Sequence, residues 1–129
     1  MNDKLVDRFA SLEKEISQKK GPFALFALFA REDLPDRWDL VVAAPWAETP
    51  QEGVSYLVAE IKSNIGSPAL TELSRIVFVA PNDPPVQAIN NAVHIQHGKA
   101  EIKDSNFFGL PIKHAWVITS QSLAPNTTK

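Results

Sequence analysis

Residues 23–44, FALFALFAREDLPDRWDLVVAA, decide the fold. The first eight, FALFALFA, are apolar at every position and rich in aromatics, the pattern of a strand covered on both faces. Gly21-Pro22 precedes the run and the polar stretch REDLPDR follows it. The run is thus short for a helix and bounded by turn formers on both sides, which favours the strand. Residues 38–44, WDLVVAA, form a second buried run, and the compact turn between the two predicts an antiparallel hairpin.

Upstream, Leu5, Phe9, Leu12 and Ile16 recur at spacings of four, three and four, which predicts an amphipathic helix over 3–19 with charged outer faces. Gly21-Pro22 ends it. Downstream, Thr49-Pro50-Gln51-Glu52 is a helix start, with a capping hydroxyl, proline at the first helical position and an acid beyond. The helix over 50–65 keeps Val54, Leu57, Val58, Ile61 and Ile65 on one face, and Gly53 weakens it. A short helical segment, ALTELS, leads into a buried strand at 75–80 and a loop, PNDPP. A helix at 85–92, one or two strands over 93–104 bent at Gly98, and a last strand at 115–119 complete the order α-β-β-α-(α)-β-α-β-β. The reading is an α/β (α+β) chain: a mixed, largely antiparallel sheet of five or six strands with helices on at least one face. Residues 1–120 form one domain and 121–129 a flexible tail.

Composition narrows the function classes. Apolar residues make up 44% and charged residues 22% of 129 positions, so the chain can bury a core of its own. There is no cysteine, which removes disulfides, thiol catalysis and thiolate zinc sites, and suits a reducing, cytoplasmic compartment. The start does not read as a secretion signal, and no apolar run approaches the roughly 20 residues that span a bilayer. A net charge of −2, with 13 basic residues scattered along the chain, does not favour nucleic acid as a partner.

Two patterns point to chemistry. Asp39, twenty intervening residues, then Glu60-Ile61-Lys62 resembles the PD-(D/E)xK nuclease signature. In that family an acid and the Asp/Glu of the triplet hold a divalent metal while the lysine positions the attacking water. A second triplet, Glu101-Ile102-Lys103, lies in extended chain with Asp83 upstream, and gives the alternative set Asp83, Glu101 and Lys103. Divalent metal is the only cofactor implied, and only under this reading.

The stretch LFALFARE…RWDLVV is similar in order to the nucleotidyltransferase pattern LFGSRARG…SDxDLLV over residues 23–44. Ala27-Leu28 replaces the Gly-Ser pair that holds nucleotide phosphates, and Arg37 replaces the first metal aspartate. The resemblance therefore implies a degenerate, inactive relative. His94 and His97 sit three apart, on opposite sides of a strand, with no third ligand at a regular interval. The five glycines are isolated, and no G-x-S-x-G elbow is present.

The polar segment DSNFFGLP reads as a loop with two adjacent aromatics, of which only one can turn inward. Asn106, Phe107 and Phe108, together with Trp46 after the second strand, form the expected contact surface, because exposed aromatics anchor interfaces. The sequence thus reads as a non-catalytic domain acting by self-association, as a homo-oligomer, or by binding a protein partner, with no membrane role.

Overall fold

In the computed structural model of the chain the described residues are 2–33, 37–107 and 109–123, with the backbone alone described at positions 107 and 110. The elements are α1 (Asp3–Lys20), β1 (Leu25–Arg31), β2 (Trp38–Ala43), α2 (Pro50–Asn64), α3 (Ser67–Thr71), β3 (Leu73–Val79), α4 (Pro84–Ala92), β4 (Ala100–Phe107) and β5 (Leu110–Ser120). The strands form one sheet in the order β3-β2-β1-β5-β4. Only β2 and β3 run parallel, joined by the α2–α3 crossover; the other neighbours are antiparallel.

The apolar run at 23–30 is central because both of its faces are covered. Phe26, Leu28 and Ala30 join Leu40, Val42 and Ile118 beneath Phe9, Leu12 and Ile16 of α1 and Leu57 and Ile61 of α2. On the opposite face Leu25, Ala27 and Phe29 join Val41, Ala43, Ala115 and Val117, with Val86 and Ile89 of α4 packed over them. Each fully buried Phe or Leu contributes roughly 1.5–3 kcal/mol relative to an exposed one, and this strand buries Leu25, Phe26, Leu28 and Phe29.

The caps match their chemistry. Asn2 Oδ1 accepts from Leu5 N at 2.9 Å and Thr49 Oγ1 accepts from Glu52 N at 3.1 Å, each satisfying an N–H that a helix start leaves open. Gly53, which weakens α2 as a helix former, is required by packing: a Cβ there would stand 2.5 Å from Cδ2 and Cε2 of Phe78. The missing side chain lets α2 sit directly on β3.

Two expectations are corrected. The segment DSNFFGLP is not an open loop: residues 104–107 continue β4, Gly109 turns at φ 73°, and β5 begins at 110, so the last strand has eleven residues. Ser105 opposite Ile112 and Asn106 opposite Pro111 carry the pairing on, since polar residues are acceptable on the outermost strand. The run at 75–80, read as buried, belongs to a strand at the sheet edge, and Ile76, Val77 and Val79 are only partly buried. At the C-terminus Gln121 stays attached, its N–H donating to Ala24 O at 3.1 Å and its Nε2 to Phe23 O at 2.9 Å. Residues 124–129 of the expected tail lie outside the described residues.

Candidate functional site

Asp39 is buried, on the face of Val41, where β1, β2 and β3 lie side by side. Its Oδ2 lies 3.2 Å from Arg31 Nε and 3.1 Å from Arg75 Nε. Arg75 stands directly beside Asp39 on β3, and Arg37 Nη2 donates to Leu73 O at 2.8 Å. Guanidinium groups therefore surround the carboxylate on the strand positions where further acids would have to stand to share a metal. Glu60 and Lys62 lie on α2, which packs against the other face of the sheet. Glu60 approaches Lys19 at 3.8 Å and accepts from Asn64, and Lys62 is exposed. Asp39, Glu60 and Lys62 are not brought together.

The second set is separated as well. Asp83 caps α4 just beyond β3, while Glu101 and Lys103 lie on β4, at the opposite edge of the sheet. Four strand spacings of about 4.8 Å put these edges roughly 19 Å apart. Glu101 meets Lys103 at 3.9 Å and His114 Nε2 at 2.6 Å, the latter an ion-pair distance without hydrogen-bond geometry. Among the described residues no three of His, Asp and Glu converge as a metal-ligand group.

Of the expected contact residues, Trp46 and Asn106 stand at different ends of the sheet. Trp46 follows β2, whose last residue pairs with Leu25, whereas Asn106 pairs with Pro111, next to the Ile112–Arg31 pair. Trp46 stacks edge-on against Phe23, Tyr56 and Phe78 at 5.6, 5.7 and 5.7 Å and belongs to the rim of the core. Asn106 is exposed, Phe108 lies outside the described residues, and of Phe107 only the backbone is described.

His97 holds a residue that sequence reasoning passed over. Glu13, on the inner face of α1, has no exposed surface, and its Oε1 lies 2.6 Å from His97 Nδ1. Its signal is the register: Glu13 falls four residues after Phe9 and three before Ile16, inside the apolar stripe rather than on a charged face.

The two edges of the sheet differ in their protection. β4 carries Glu101, Lys103 and Asp104, and Asp104 adopts φ 51°, a left-handed break in an extended strand. Charged side chains and local kinks are the usual devices that keep an edge from pairing with another chain. β3 reads LSRIVFV, with Arg75 as its one charge and no proline, and its outer side has no paired strand among the described residues. It presents half-buried Ile76 and Val77 beside a row of backbone donors and acceptors. The parallel β2–β3 pairing that creates this edge is supported by α2, held close by the Gly53–Phe78 contact. No protein-family model, no curated protein and no solved structure matches the chain.

Proposed function

We propose that this chain is a non-catalytic contact domain that self-associates by pairing β3 with β3 of a second copy. The observation that supports the reading is the contrast between the two edges: β4 carries three charged residues and the kink at Asp104, whereas β3 carries the single charge of Arg75 and no kink.

Antiparallel pairing about a two-fold axis through Ile76 is self-complementary. It sets Ile76 opposite Ile76, Arg75 opposite Val77 and Ser74 opposite Phe78, with no like charges directly across from each other. The product is a continuous ten-stranded sheet, two five-stranded sheets joined edge to edge. A strand from a different protein engages the same edge by the same hydrogen bonds, which is the route to a heterologous partner.

Sedimentation equilibrium over a hundredfold range of concentration tests the reading. The natural chain is expected to dimerise, and Val77→Lys, which places a guarding charge at the centre of the edge, is expected to sediment as a monomer while melting within a few degrees of the natural chain. A natural chain that is monomeric throughout, or a Val77→Lys chain that dimerises equally well, would refute β3 pairing.

A further inference from the structure

The geometry points to a second binding site, independent of the β3 edge, for an alkylammonium group. A cleft of about 310 Å³ opens at the start of α2, lined by Lys20, Trp46, Glu48, Glu52 and Tyr56 among others. This volume is at the lower end of the roughly 300–1,000 Å³ of small-molecule sites. Two of its walls are aromatic and nearly perpendicular: the rings of Trp46 and Tyr56 have centroids 5.7 Å apart and an interplanar angle of 74°. Phe23 and Phe78 back the indole and fix its orientation.

One cation already occupies this corner. Lys20 Nζ lies 5.1 Å from the Tyr56 centroid and 5.9 Å from that of Trp46, within the roughly 6 Å at which a ring face attracts a positive charge. Glu48 and Glu52 add negative charge to the lining, and neither has a cationic partner within 4 Å among the described residues. Lys20 is exposed, sits on a flexible stem and makes no ion pair among the described residues. Its ammonium thus acts as an internal stand-in for an external one.

A methylated or quaternary ammonium suits the corner better than Lys20 does. A primary ammonium is strongly hydrated and forfeits hydrogen bonds against aromatic walls, whereas methyl groups shed water readily and pack on them. The site therefore selects methylated ammonium groups, whether carried by a small choline-like molecule or by a methylated lysine of another protein.

Titration with tetramethylammonium chloride, choline chloride and a trimethyllysine peptide, followed by the indole N–H signal of Trp46, tests the assignment, with sodium chloride as the ionic-strength control. Saturable shifts are expected with all three. Tighter binding of the peptide assigns the natural source to a protein, and equal binding assigns it to the free amine. Lys20→Ala, which removes the internal competitor, is expected to tighten binding several-fold. Tyr56→Leu and Glu48→Gln are expected to weaken it by about tenfold and several-fold respectively, in chains whose cooperative melting shows that they remain folded. Shifts that sodium chloride reproduces, or affinities that neither Lys20→Ala nor Tyr56→Leu changes, would overturn the site. These titrations are indifferent to Val77→Lys, so failure here and failure of β3 pairing are separate results.

Discussion

Glu13 Oε1 lies 2.6 Å from His97 Nδ1 and ties the middle of α1 to the segment between α4 and β4, while Glu13 Oε2 is buried with no hydrogen-bond partner. His97 is held for this contact at φ 53°, its own N–H donating to Thr119 Oγ1 at 3.1 Å. A fully buried carboxylate with one partner is costly to orphan. His97→Ala is expected to lower the unfolding free energy by about 2 kcal/mol, the usual scale for leaving a buried polar group without its partner. Glu13→Leu, which removes the buried group itself, is expected to cost less than His97→Ala. Urea denaturation of the two variants and of the double variant measures the coupling; additive effects would show that the two side chains do not act as a pair.

Gly53→Ala is a sharper test of the α2–β3 contact. At an exposed helix position this change would stabilise by up to about 1 kcal/mol through helix propensity. Here the new methyl meets the ring of Phe78 at 2.5 Å, so the sign is expected to invert and the melting temperature to fall. A rise in melting temperature would mean that α2 does not press on β3.

Tyr56 reports its own surroundings, because it is the only tyrosine in the chain. Burial, and after it the nearby carboxylate of Glu60, push its phenol above the ordinary value of 10.0. Absorbance titration is expected to show the phenolate appearing at higher pH in the native chain than in urea. The folded state retains this proton longer than the unfolded one. Its contribution to stability is therefore complete below the unfolded value of about 10 and is lost as pH climbs through the folded value. A native titration at or below that of the unfolded chain would contradict the packing around Trp46.

Magnesium and manganese are expected to leave the melting temperature unchanged, since a cation would have to displace two arginines from Asp39. A reproducible rise of several degrees would show that a metal binds the folded chain. Asp39→Ala is expected to destabilise by roughly 3 kcal/mol, because Arg31, largely buried beside it, loses its nearer and buried carboxylate and keeps only exposed Asp33 at 3.7 Å.

Much of the architecture is legible in the chain because local chemistry decided it. The FALFALFA strand, the hairpin with WDLVVAA, the Thr49 cap and the stripe of α2 all depend on residues close together in sequence, and each stands where the pattern puts it to within a few positions. Neighbourhood was not legible. The apolar run IVFV looks the same whether its strand is central or outermost, because pairing partners distant in sequence set the order β3-β2-β1-β5-β4. The same limit explains the acids: Asp83 and Glu101 are eighteen positions apart yet stand at opposite edges, since α4 carries the chain across one face between them. Trp46 and Gly53 were each visible as an oddity, an aromatic after a strand and a glycine in a helix. Only packing revealed that both serve the contact between β2, α2 and Phe78.

Amide hydrogen exchange measured at several protein concentrations decides whether β3 pairs with a second copy, because it locates the contact as well as detecting it. Protection of residues 73–79 is expected to rise with concentration as β3 gains a second paired strand, while protection of the guarded edge at 100–107 stays constant. Exchange at 73–79 that is independent of concentration, or protection that rises at 100–107 instead, would contradict β3 as the contact edge.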